Sequence, residues 1–251
     1  MVVEGIAAMT QSEPVDDDSL QSERPRGLVL VIGGVGGLDW CGIALRVLVK
    51  TKRLPYVVQV VPWGLGFGRW YADLTNVINR DTQARHVAET IRLYKLSRPT
   101  CPVFLVAKSG GSGVAIKALE LLDEGAVHRA VLLAPAVSPS YDLTAALRAV
   151  RSEIVVFWSP FDLLILGAGT RVLGTIDRVK AVGAGLVGFR IPPSDLDDPN
   201  RGRLYGKLRQ VRWRLRMAAS GNFGGHMGPD SPLFLGRYVV PLLTVEESTD
   251  S

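Results

Sequence analysis

Cys101-Pro-Val-Phe-Leu-Val-Ala-Lys-Ser-Gly-Gly-Ser-Gly-Val-Ala-Ile-Lys-Ala-Leu-Glu-Leu-Leu122 decides how this chain folds. It reads as a buried strand, a turn of small residues with Ser109 at its tip, and an amphipathic helix. A serine on a sharp strand-to-helix turn holds its hydroxyl above the C-terminal edge of a parallel sheet. The turn needs small residues two before and two after the serine, because larger side chains collide with neighbouring backbone. Ala107 and Gly111 meet that need. Ser112, the other candidate, has Val114 at its second small position and fits less well. The helix aims its N-terminus at the serine, so the amide of Gly110 is free to meet a developing negative charge.

On either side of this unit, short apolar runs alternate with helical patterns. Strands are predicted over 27–32, 56–61, 102–107, 129–134, 153–158 and 185–190. Helical periodicity covers 38–51, 82–97, 111–124 and 142–150. Alternation of this kind predicts an α/β fold: a mostly parallel, doubly wound sheet of about six strands in three α/β/α layers. Sites on such sheets lie beyond the C-terminal ends of the strands. Two long connections stand out, 62–80 with its aromatics and glycines, and 161–183 with apolar residues enough for one or two short helices. Each suits a pocket wall or, equally, a plain surface excursion, and Trp63, Phe67 and Trp70 are the candidate lining residues in the first.

The chain has 251 residues, 47% of them hydrophobic, enough for one core of ordinary size. Residues 1–26 hold six acidic and two basic residues and read as a disordered acidic tail, with 245–251 a second, shorter one. The domain is therefore expected over 27–244. Removing both tails takes away two of 29 basic and nine of 24 acidic residues, leaving a body of net charge +12. Such a body attracts anions but does not choose among acidic substrates, membranes and nucleic acid. Nothing resembles a signal peptide or a bilayer-spanning run, and Cys41 and Cys101 lack disulfide-framework or metal-site spacing. A cytoplasmic protein without metal or cofactor is expected.

A serine hydroxyl becomes a nucleophile only when a base takes its proton, and the base must itself be oriented. Three histidines are available. His86 lies in a helical pattern far upstream, and His128 precedes a strand, at the wrong end of the sheet. His226, in the glycine-rich loop 220–228 after the last strand, is free to reach over the sheet edge. Asp162, just beyond the fifth strand, is best placed as its partner, with Asp142 in reserve. Asp195, Asp197 and Asp198 read as solvated turn residues. The first strand ends in Val31-Ile-Gly-Gly-Val-Gly-Gly-Leu-Asp39, which lacks the lysine of a phosphate loop and the spacing of a dinucleotide loop. Its glycines instead let the backbone amides of Gly34 or Val35 approach a reacting carbonyl, with Gly110 as the other donor.

Together these features resemble the α/β-hydrolase fold superfamily over about residues 27–244. The elbow Ala107-Lys-Ser-Gly-Gly111, the order Ser109, Asp162, His226 and the glycine loop carry the resemblance. It implies Ser109 as nucleophile, His226 as general base and Asp162 as its partner, and leaves the substrate open. A small acyl substrate, an ester or thioester, is the leading expectation, with peptidase or acyltransferase chemistry open to the same triad. Alanine replaces the elbow's first glycine, and Gly33-Gly34 stands where a histidine-glycine pair is usual. The short N-terminal tail has no room for two further strands, so the reduced, six-stranded sheet is expected. A non-catalytic relative that binds an anionic surface or partner is the alternative. A nucleotide-dependent oxidoreductase is disfavoured, since no Tyr-x-x-x-Lys pair falls in a suitable helix.

Two basic features remain. Lys108, beside the nucleophile, either meets an anionic substrate group or points along the surface. Residues 201–216 hold seven basic residues, with Leu204, Leu208, Val211 and Leu215 at helical spacing. That pattern predicts a docked amphipathic helix able to touch an anionic membrane. With only Tyr205 and Trp213 interleaved, it is a poor nucleic-acid surface.

Overall fold

The computed structural model describes residues 25–36, 39–66, 68–162, 175–177 and 182–245. Six strands, β1 (Leu28–Ile32), β2 (Val57–Val61), β3 (Val103–Lys108), β4 (Arg129–Leu133), β5 (Ile154–Trp158) and β6 (Leu208–Arg212), form one sheet in the order β2-β1-β3-β4-β5-β6. Every pairing is parallel, with β1 and β3 in register from Leu28↔Val103 to Ile32↔Ala107. Parallel strands covered on both faces read as continuous apolar runs, and β1, β3 and β4 are buried at every position. The edge strand β2 instead alternates exposed and partly buried residues.

Helices α1 (Trp40–Thr51), α2 (Trp70–Thr75), α3 (Val77–Ser97), α4 (Gly111–Glu120) and α5 (Thr144–Ala149) make the principal crossovers. One face of the sheet packs Leu30, Leu105 and Leu132 against Ile91 of α3, Leu119 of α4 and Leu147 of α5. The other packs Val31, Phe104 and Val106 against Leu45 of α1 and against Phe234, Leu235 and Val239 of the C-terminal helical run. Burying each such side chain contributes roughly 1.5–3 kcal/mol. The result is the three-layer, six-stranded sheet that the resemblance implied.

Five strands and four helices fall where apolar periodicity placed them, and two assignments need correction. Residues 185–190 do not form a strand: Ala184–Val187 is one helical turn, closed at Gly188 with φ +81°. A short apolar run has no period of its own, so buried strand and buried helix look alike. The sixth strand comes from inside the basic segment, where one amphipathic helix was expected. There α8 (Pro199–Tyr205, following α6 at Ala184–Val187 and α7 at Pro193–Asp197) ends at Gly206, and the chain then enters β6. Leu208 joins one core layer and Val211 the opposite one, which is strand alternation, while Leu215 is 79% exposed. The apolar stripe is thus split over two elements. Among the described residues no helix is long and apolar enough to cross a membrane. Residues 1–24 and 246–251, which hold nearly all of both acidic tails, and most of 163–181 lie outside the described residues.

Candidate active site

The turn after β3 has the strain its sequence requires. Ser109 adopts φ +51°, a left-handed conformation that costs a non-glycine residue about 1–3 kcal/mol. The backbone holds it there: Ser109 N–H donates to Leu133 O at 2.9 Å, and Ser109 O accepts from Ser112 N–H at 3.1 Å and Ala136 N–H at 3.2 Å. Gly111 has no alternative, because a Cβ there would lie 2.2 Å from Gly33 O and 2.6 Å from Ile32 O. The β1 and β3 turns are that close. Ser112, the rival serine, is fully buried at the start of α4.

Ser109, His226 and Asp162 meet. His226 Nε2 lies 2.9 Å from Ser109 Oγ, and His226 Nδ1 lies 2.7 Å from Asp162 Oδ2. Asp162 is 3% exposed and follows β5; in the tautomer that donates Nδ1–H to its carboxylate, Nε2 of the imidazole faces the Ser109 hydroxyl as an acceptor. The histidine loop is itself braced. Trp213 Nε1–H donates to Asn222 O at 2.8 Å, Gly224 N–H to Asn222 Oδ1 at 3.0 Å, and Ser231 Oγ–H to Ser220 O at 2.6 Å. His86 is exposed on α3, and His128 precedes β4 with its ring against Phe104 at 5.4 Å. Asp142 sits at the start of α5, paired with Arg201, away from the imidazole. Asp195 also pairs with Arg201, and Asp198 caps α8.

The glycine loop after β1 lies over the serine. A Cβ on Gly34 would be 3.5 Å from Ser109 Cβ, and one on Gly110 would be 2.8 Å from Val35 Cγ1. No hydrogen bond among the described residues uses the N–H of Gly34, Val35 or Gly110. Among the described residues, these three N–H groups beside the elbow are left without an acceptor.

The remaining candidates have other surroundings. Trp63, expected to line an open pocket, is 3% exposed; it backs Gly110 and donates Nε1–H to Gly33 O at 2.8 Å. Lys108, expected at a substrate anion or along the surface, is 7% exposed and ion-paired with Asp230. Phe67 lies outside the described residues, and Trp70 begins α2. Sequence reading missed Asp73. This fully buried carboxylate accepts from Gly36 N–H at 2.9 Å and Leu65 N–H at 2.6 Å, tying the glycine loop to the 62–76 connection. Its one outward sign was an acid among the aromatics of α2. Among the described residues no group of three or more His, Cys, Asp or Glu side chains is gathered as a metal ion would need.

No protein-family model and no curated protein matches the chain. Among solved structures, the chain is similar to a predicted CIB-like hydrolase from Thermoplasma acidophilum, at 16% identity and a TM-score of 0.45, covering 87% of this chain and 86% of that one. It is also similar to a candidate hydrolase of the alpha/beta superfamily from Xanthomonas campestris pv. campestris, at 16% identity and a TM-score of 0.39, covering 83% and 95%.

Proposed function

We propose that the chain is a serine hydrolase that cleaves a carboxylic ester or thioester through an acyl-enzyme. The observation that carries this reading is the unbroken relay from Ser109 Oγ through His226 to Asp162, set at a serine held at positive φ. Ser109 Oγ attacks the substrate carbonyl carbon as its proton passes to His226 Nε2. The carbonyl oxygen takes the negative charge and accepts hydrogen bonds from Gly110 N–H and from Gly34 or Val35. Asp162 stabilises the imidazolium through Nδ1–H. When the tetrahedral intermediate collapses, the bond to the leaving group breaks and that group takes the proton from Nε2. A water then gives a proton to His226 and its oxygen to the acyl carbon. Collapse releases the acid and returns the proton to Ser109.

A chain-length panel of aryl esters and acyl thioesters tests this directly. Wild-type protein is expected to turn over at least one member, with Ser109→Ala and His226→Ala each slower by about 10³-fold or more. Turnover unchanged in both variants, or absent across the panel with folded wild type, contradicts the proposal.

A further inference from the structure

Lys108 is an unusual residue to bury beside a nucleophile. It ends β3 on the face of Phe104 and Val106, so its side chain runs down away from the reacting hydroxyl. Its ammonium pairs with Asp230, the two side chains being 8% and 11% exposed, and lies 3.8 Å from Met227 Sδ. Met227 and Asp230 belong to the segment that carries His226. A second carboxylate shares this space. Asp39 ends the glycine loop and accepts from Gly42 N–H at 2.8 Å, and a Cβ on Gly33 would lie 2.6 Å from its Cγ. Burial raises the Asp39 pKa and Asp230 raises it further, while the Gly42 N–H and Lys108 oppose both. Asp39 Oδ2 and Asp230 Oδ1 are buried and make no hydrogen bond. The one ion pair Lys108 makes is thus with the histidine segment, while Asp39 of the glycine loop feels its charge without touching it.

Already neutralised and covered, this ammonium is unavailable to a substrate anion. Nor is bulk stability an adequate reason for it, since apolar residues of similar volume usually stabilise a buried site as well or better than an ion pair. What such a pair supplies is a fixed partner across two segments. We propose that Lys108 is a positioning residue: its buried bond to Asp230 sets the height of the histidine loop over β3, and thereby the reach of His226 to Ser109. The roles of Ser109 and His226 in it rest on the hydrolase reading above.

The test compares Lys108→Met, Asp230→Asn and the double variant by three readouts. These are thermal stability, the rate at which a fluorophosphonate labels Ser109, and the downfield NMR signal of the His226 Nδ1 proton shared with Asp162. Each single variant is expected to lose stability, because it strands a buried charge or an unmatched carboxylate. Each should also lose the imidazole signal and label more slowly, by roughly tenfold or more for a displacement of a fraction of an ångström. In the double variant no uncompensated charge of this pair remains, so much of the stability returns while signal and labelling do not. A folded double variant with the wild-type imidazole signal and labelling rate would overturn the proposal, as would labelling losses that recover together with stability. Wild type that resists the probe, yet whose imidazole signal still depends on Lys108, would overturn the hydrolase reading and leave the positioning role standing.

Discussion

Ser109 is the point where covalent geometry and chemistry meet. A Cβ at φ +51° crowds the adjoining carbonyl, and only a residue locked from both sides stays there. Leu133 and Ala136 supply that lock, and Gly111 supplies the clearance. Removing the hydroxyl and removing the strain are therefore separable. Ser109→Ala keeps the Cβ and its strain; Ser109→Gly removes both. We expect Ser109→Gly to be the more stable of the two by about 1 kcal/mol in urea denaturation, despite glycine's greater freedom when unfolded, with both inactive. Equal stabilities would show that the strain is no larger than the cost of glycine's freedom in the unfolded chain. Lys108 illustrates the same separation, for its position beside Ser109 left substrate contact and a course along the surface both open, while its side chain is buried against Asp230.

The glycine loop after β1 owes its shape to groups outside it. Trp63 holds Gly33 O, and Asp73 holds the N–H groups of Gly36 and Leu65. Asp73→Ala would leave two N–H groups without their acceptor, at about 1–3 kcal/mol each where burial is complete. On the proposed hydrolase reading, in which the loop's donors would act on the oxyanion more than on bound substrate, the expected signature is a fall in kcat larger than any rise in KM on whichever ester is turned over. A rise in KM alone would place Asp73 in substrate binding instead. How far such features could be read from sequence depends on their locality. Strands β1 to β5 are apolar and β-branched, and the elbow is five consecutive residues, so both were visible. The sixth strand was hidden because Arg209, Gln210 and Arg212 give an edge strand the composition of a polar helix face. Asp73 was hidden because its partners lie 37 and eight residues away, and no local pattern encodes them.

Across the molecule, the candidate site is a product of strand order. Adjacent β1 and β3 bring the glycine loop onto the elbow, β5 delivers Asp162 two strands from β3, and the segment after β6 returns His226 over the rim. Ser109 and His226 are 117 residues apart in sequence, and Asp162 and His226 are 64. The C-terminal run anchors that return, with Phe234 fully buried against Phe157 at 5.4 Å between centroids. A relay assembled from such distant parts reports on the intact fold, and the activation of Ser109 that we propose for it can be read without knowing the substrate. Intact-mass and peptide analysis after fluorophosphonate treatment supplies that reading. A single adduct on Ser109 of wild type is expected, none on Ser109→Ala, and a strongly slowed adduct on His226→Ala. Folded wild type that stays unlabelled, or an adduct on another residue that persists in Ser109→Ala, would contradict the account.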